Sequence, residues 1–199
     1  MKIEKHKRQS THVALAVVGM SGAGKSAISE YLRSKGWEYV RFGQVTIDEV
    51  ERQGMPVNEK SERKIREELR ERGGMAIYAK HLWPRIQAAL RGGPVVIDGL
   101  YSWSEYLFLK KRLKTKLIVV AVVTARGTRY KRLATRSIRP LSQKEAERRD
   151  IGEIEKLEKA GPIAMADFTI VNEGSRKQLK AKLESLLNLV QPDVRFKNT

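Results

Sequence analysis

The sequence predicts an α/β fold in which a parallel sheet is covered by helices on both faces. Three observations carry that expectation. Short Val- and Ile-rich runs alternate along the chain with helical patterns. Most of those runs are apolar at every position, as strands buried on both faces are. A glycine-rich turn ending in Gly-Lys-Ser joins the first run to the first helix.

The elements follow in order. Val13 to Val18 reads as the first strand, and Ala27 to Lys35 as a helix with Ala27, Ile28, Tyr31 and Leu32 on one side and Gly36 as its stop. Trp37 to Phe42 is a second strand. Asn58 is placed as the N-cap of a charged helix through Arg72, ended by Gly73-Gly74. Met75 to Arg91 is helical, interrupted by Pro84 and closed by Gly92-Gly93. Pro94 to Ile97 is a third strand, Ser102 to Lys114 a helix, and Leu117 to Val123 a fourth strand without one charge. Thr128 to Arg136 is a helix, and Ser142 to Lys159 holds another. Phe168 to Val171 is a short fifth strand, and Ser175 to Val190 a final amphipathic helix.

The strongest motif is Gly19-Met-Ser-Gly-Ala-Gly24-Lys25-Ser26, a full match to G-x-x-x-x-G-K-[ST] between a buried strand and a helix. Its glycines let consecutive N–H groups turn toward phosphate oxygens, and the helix behind adds its positive dipole end. Lys25 is expected to reach the β- and γ-phosphates and Ser26 to ligate Mg²⁺. Gly19, Ser21, Gly22, Ala23, Gly24, Lys25, Ser26 and Ala27 are the expected nucleotide contacts, with ATP and Mg²⁺ as cofactors. Asp98 ends the apolar run Val95-Val-Ile97, where open α/β sheets place their ligands, and is assigned to the Mg²⁺ shell. The fold expected is therefore a three-layer α/β/α P-loop NTPase fold with a five-stranded parallel sheet. No N-K-x-D sequence is present to read guanine, and Asp98-Gly-Leu-Tyr101 is not a D-x-x-G switch.

Composition narrows the classes further. The chain has 199 residues, 41% of them hydrophobic, enough to bury a core. Zero Cys excludes a disulfide scaffold, a thiolate metal site and a Cys nucleophile. No apolar run approaches the roughly 18–20 residues of a membrane span. A cytoplasmic protein with no membrane partner, monomeric or homodimeric, is the expectation. One P-loop domain is expected over 1–199, with a basic tail at 1–12, a small helical insert at about 43–74 and a lid at about 137–150.

The net charge is +17, and it is concentrated. Residues 1–12 carry +3, 110–116 carry +5 and 126–149 carry +7, which leaves +2 for the other 156. In the last stretch Arg129, Arg132 and Arg136 are spaced to share a helix face, with Arg139-Pro140 as a turn beyond. Arginines on a mobile lid neutralise the charge that phosphoryl transfer spreads over the equatorial oxygens. A solvated basic face is the plainer reading of the same run. In the insert, Arg63, Arg66 and Arg70 recur at three and four; they either face an acceptor or pair with Glu59, Glu62, Glu67 and Glu71. Tyr101 and Trp103 either line a base pocket or pack in the core. Asp48, the acid of the 43–48 stretch, is the candidate base if the acceptor is a hydroxyl, or else a helix-first-turn acid.

These residues together resemble the nucleoside-monophosphate-kinase-like P-loop kinases, above all the adenylate kinase and dephospho-CoA kinase branches. The resemblance rests on the phosphate loop, Ile97-Asp98-Gly99, the run Arg129 to Arg136, Arg149-Asp150, and Ala166-Asp-Phe-Thr-Ile-Val-Asn172-Glu-Gly174-Ser175. It implies that Asn172, Gly174 and Ser175 lie near the ATP base, where the plainer alternative is a strand–helix turn with Ser175 as N-cap. It implies that Arg132 and Arg136 act as lid arginines, one by the adenine and one on the phosphates, and that Arg149 is a second lid arginine. Two departures stand out. Gly43-Gln-Val-Thr-Ile-Asp48 and Leu100-Tyr-Ser-Trp103 lack the arginines that hold the acceptor phosphate in adenylate kinases. The expected activity is ATP-dependent phosphoryl transfer to a small anionic nucleotide-like acceptor, dephospho-CoA or a nucleoside or deoxynucleoside monophosphate. The patches at 1–12 and 110–116 sustain the alternative of a nucleic-acid-associated ATPase or polynucleotide kinase.

Overall fold

A computed structural model describes residues 12–138 and 140–190. The basic tail falls almost wholly outside them, as does Arg139 of the expected Arg139-Pro140 turn. In chain order the elements are β1 (Ala14–Val18), α1 (Lys25–Ser34), β2 (Glu38–Arg41), α2 (Gln44–Arg52), α3 (Glu59–Gly73), α4 (Ile77–Gly92) and β3 (Val95–Asp98). Then come α5 (Trp103–Arg112), β4 (Leu117–Val123), α6 (Arg126–Thr135), α7 (Gln143–Glu155), α8 (Ala160–Ala164), β5 (Phe168–Val171) and α9 (Arg176–Val190).

The five strands form one parallel sheet in the order β2-β3-β1-β4-β5. The most deeply buried strands are the inner ones. β1 and β3 are buried at every position, and β4 at its central five. The edge strands β2 and β5 each bury a single side chain fully. Alternate residues of β1 feed two cores. Ala14, Ala16 and Val18 face a cluster with Tyr78, Leu82, Ile86 and Leu109 from α4 and α5. Leu15 and Val17 face Ile28, Leu32, Leu179 and Leu183 from α1 and α9. This is the three-layer arrangement expected.

Local signals set several helix starts. The Asn58 side chain accepts from Ser61 N–H at 3.0 Å, as an N-cap does. Ser102 with Glu105, and Ser142 with Glu145, close reciprocal capping boxes on α5 and α7.

Two expectations need correction. α4 is not interrupted at Pro84; it runs unbroken from Ile77 to Gly92. A mid-helix proline costs about 3 kcal/mol, but Tyr78, Ala79, Leu82, Ile86 and Leu90 bury one face of this helix, and each large apolar side chain returns about 1.5–3 kcal/mol. Arg136 does not share the helical face of Arg129 and Arg132, because α6 ends at Thr135 and Arg136 is extended. The chain there turns back so that Leu141 donates its N–H to Leu133 O and packs with Leu133 and Ala146.

Candidate functional site

The carboxyl ends of β1 and β3 lie side by side, with Val17 opposite Asp98. The loop after β1 and the acid ending β3 are thus brought to one edge of the sheet by register alone. Asp98 is buried, and Tyr39 from β2 donates its hydroxyl to Asp98 Oδ2 at 2.9 Å. Burial and the Asp98 charge push the Tyr39 phenol well above its ordinary range, which keeps it a donor.

The loop adopts backbone that only glycine takes without strain. Gly24 has φ +106°, and a Cβ there would stand 2.3 Å from Asn172 Nδ2; Gly22 has φ +80° and its Cβ would meet Arg129 O at 2.8 Å. Those contacts identify what presses on the loop. The Asn172 amide donates to Ala23 O at 2.8 Å, and Thr124 Oγ1 donates to Ala23 O at 3.1 Å and Asn172 O at 3.0 Å. The turn at 172–175 therefore has structural tasks. Asn172 holds the loop, Glu173 accepts from Ala125 N–H and Thr128 Oγ1 at the start of α6, and Ser175 exchanges bonds with Gln178 at the start of α9. Arg132 spans from Thr124 to Gly174 O, 3.5 Å from each, so it joins α6 to that turn.

Lys25 Nζ donates to Gly19 O at 2.8 Å and to Met20 O at 3.1 Å, so its ammonium lies across the loop. Burial, then the neighbouring charge of Lys159, lowers its pKa to about 7 against the opposing pull of Glu153 and Asp98. The Ser26 hydroxyl is on an exposed residue at the start of α1, and Ala27 is half-buried behind it.

Ser21 is where the rest of the site converges. Its hydroxyl donates to Glu153 Oε1 at 2.7 Å and accepts from Arg149 Nε at 3.0 Å. Its N–H donates to Glu153 Oε2 at 3.3 Å, and its carbonyl accepts from Arg129 Nη1 at 3.0 Å. Arg129 also makes a buried bidentate pair with Asp150, at 2.8 and 2.5 Å. Glu153 in turn accepts from the buried Lys159 at 2.7 Å. Burial alone would raise the Glu153 carboxyl, but Lys159, Lys25 and Arg149 hold it well below the usual carboxylate range. Arg149 reaches on to Glu59 of α3 at 3.2 Å. Arg136 sits in the same field, its guanidinium pushed down by burial and then by the charge of Arg149.

Of the residues singled out from sequence, Lys25, Asp98 and Arg149 meet at the loop, and Arg132 and Arg136 flank it. Asp48 does not join them; it is exposed on α2 and accepts from Gln44 of the same helix at 2.8 Å. Trp103 stacks on Tyr106, ring centroids 5.1 Å apart, and packs with the α4–α5 core. Glu153 and Lys159 escaped the sequence reading. Glu153 carried a faint signal, its spacing of four from Arg149 on one helix. Lys159 carried none, because a lysine beyond a helix end is ordinarily solvated.

The residues present fit a nucleotide phosphate chain with a divalent cation. The strained loop aims backbone donors, Lys25 supplies a mobile ammonium, and the Ser26 hydroxyl and Asp98 carboxylate offer the oxygen donors Mg²⁺ prefers. Among the described residues no cluster of three or more His, Cys, Asp or Glu forms an all-protein metal cage. No described helix is long and apolar enough to cross a membrane.

Comparison with known proteins gives a consistent picture. A family model described as AAA domain matches residues 15–153. A UPF0200 protein of Thermococcus kodakarensis is 32% identical over 176 residues, covering 86% of this chain and 95% of its own. A UPF0200 protein of Pyrobaculum aerophilum is 34% identical over 161 residues, covering 80% and 87%. Among solved structures, shikimate kinase from Bacteroides thetaiotaomicron superposes with a TM-score of 0.62 at 17% identity, covering 90% of this chain and 98% of that one. A gluconokinase from Sinorhizobium meliloti does so with a TM-score of 0.53 at 17% identity, covering 94% and 100%. At these identities the structural likeness is one of fold.

Proposed function

This chain belongs to the AAA domain family and to the UPF0200 proteins, and we propose that it is an ATP-dependent kinase of a small anionic, nucleotide-like acceptor. The observation that carries the reading is the convergence of Lys25, Arg149 and Lys159 on one end of the phosphate loop, with Asp98 beside it at the end of β3. Cations gathered at that loop suit a reaction whose transition state spreads charge over phosphoryl oxygens.

In this reading the loop N–H groups and Lys25 bind and orient the phosphate chain. Ser26 and Asp98 would hold Mg²⁺, which would supply charge neutralisation at the phosphate oxygens. Arg149 and Arg136 add positive charge from the lid side. Arg132, tied to Gly174 and Thr124, lines the side on which the base would rest, while Asn172 keeps the loop in shape. A monophosphate acceptor brings its own nucleophilic oxygen and needs no base, in keeping with Asp48 standing apart on α2. Dephospho-CoA, whose acceptor is a hydroxyl, requires a carboxylate that takes the proton, and for it Asp48 is the candidate.

The test is a coupled assay of ADP release against nucleoside monophosphates, deoxynucleoside monophosphates, dephospho-CoA and oligonucleotide 5′-ends. Acceleration by one small acceptor is expected. Stimulation by nucleic acid alone would replace this reading with that of a nucleic-acid-associated ATPase. One observation favours that second reading. Lys110, Lys111, Arg112, Lys114 and Lys116 are all exposed where α5 leads into β4, at the end of the sheet away from the loop.

A further inference from the structure

The carboxylate of Glu153 is placed where an anion of a different kind belongs. It is 6% exposed and accepts from the Ser21 hydroxyl, the Ser21 N–H, Arg149 and Lys159 at 2.7 to 3.3 Å. The Lys25 ammonium lies across the same loop on Gly19 O and Met20 O. Two cations, Arg149 and Lys159, thus bond this carboxylate beside Lys25, at the end of a loop whose sequence is one that holds phosphate oxygens.

A purely mechanical tie between α7 and the loop exists without it. Arg129 joins Ser21 O to Asp150 by a buried bidentate pair. Glu153 differs from that tie because it holds Arg149 and Lys159, cations that a phosphate oxygen can equally take, beside Lys25, the residue that reaches the β- and γ-phosphates in loops of this sequence. A nucleotide diphosphate would leave these two cations to Glu153. A third phosphate drawn to Lys25 brings more negative charge against that carboxylate, and like charges at a few ångströms in a protein interior repel strongly.

We propose that Glu153 determines specificity as an internal stand-in for the terminal phosphate of a nucleotide. A triphosphate, and not a diphosphate, displaces Glu153 from Arg149 and Lys159 and loosens α7 from Ser21. This rests on the nucleotide reading of the loop given above. It gives the chain a means to tell a phosphoryl donor from its spent form and to couple that distinction to the segment that covers the site.

The experiment is titration calorimetry of Mg–ATP and Mg–ADP against the full-length protein and its Glu153→Gln variant at one fixed salt concentration. Glu153→Gln keeps the shape and removes the charge, and is expected to raise the preference for ATP over ADP by about tenfold or more. A purely structural role would move both affinities together. Because the variant leaves Lys159 unpaired and risks misfolding, amide hydrogen exchange of residues 143–155 is measured in parallel on the unaltered protein. Exchange there is expected to be faster with a non-hydrolysable ATP analogue than with ADP. An ATP-to-ADP preference changed by less than about twofold, or equal exchange with both nucleotides, overturns the role of Glu153 while nucleotide binding stands. Failure of the unaltered protein to bind either nucleotide overturns the nucleotide reading and this inference with it.

Discussion

The arginines of α3 and of α6 recur at nearly the same spacing and have different fates, and α7 adds Arg149 to the second set. On α3, Arg63 pairs with Glu67, and Arg66 pairs with Glu59 and Glu62, all within the one helix. Arg70 turns inward over the ring of Tyr78, 3.8 Å from the buried Glu105. On α6 and α7, Arg129 and Arg149 reach more than 100 residues back along the chain to the carbonyl and hydroxyl of Ser21. The first set is local electrostatics on a polar helix. The second binds a phosphate loop to the segment above it. A pattern of arginines three and four apart therefore says that a helix is present and says little about what its charges do.

That contrast can be broken experimentally, beginning at the loop. Lys25→Ala is expected to reduce ATP turnover by at least about 100-fold in steady-state kinetics, the scale of losing a preorganised charge at the reacting group. Next in size is Arg129→Ala. It leaves Asp150 buried without its partner and is expected to cost about 3–5 kcal/mol, read as a lowered denaturation midpoint at unchanged m-value. Arg149→Ala is expected to lower kcat/KM by about 10- to 100-fold, whereas Arg66→Ala should leave it within about twofold although both residues bind Glu59.

The pH dependence sharpens the contrast, because the lowered pKa belongs to the loop side. Lys25 has a pKa of about 7 in the ligand-free fold against an ordinary 10.5. Between those values the unfolded chain binds more protons than the folded one, so this group makes stability rise with pH across that window, and the gain is lost as pH falls through 7. Bound phosphate favours the charged ammonium. Nucleotide affinity is therefore expected to fall as pH rises above about 7, with proton uptake on binding, measurable by calorimetry in two buffers of different ionisation enthalpy. Lys25→Met should abolish that uptake. The smallest effect is reserved for Arg63→Ala, an exposed pair expected to contribute about 0.5 kcal/mol or less in chemical denaturation. A loss as large as that of Arg129→Ala would erase the distinction between the two regions.

Much of the scaffold is legible in the chain. β4 and β5 have the limits their apolar runs indicate, and Asn58 caps α3. The loop and Asp98 meet because two buried strands in register end together, and both strands are plain in the sequence. Pro84 misleads, since a local penalty is outweighed by a buried helix face that only the sheet provides. The turn at 172–175 is legible in part: Ser175 bonds Gln178 at the start of α9 as a cap would, while the ties of Asn172 to the loop and of Glu173 to α6 are ones the segment alone does not carry.

The sequence by itself determined the alternation of strands and helices, the two faces of β1, and a glycine-rich loop of the phosphate-binding pattern. Those follow from periodicity and from glycine's backbone freedom, which act over a few residues. Which charges gather at that loop was decided by the tertiary structure. Strand order β3-β1-β4 sets Asp98 on one side of β1 and leads the chain from β4 into α6 and α7 on the other. Glu153 and Lys159 acquire their meaning only there, because a buried carboxylate is ionised and a buried amine tolerated only where the fold supplies opposite charge at bonding distance.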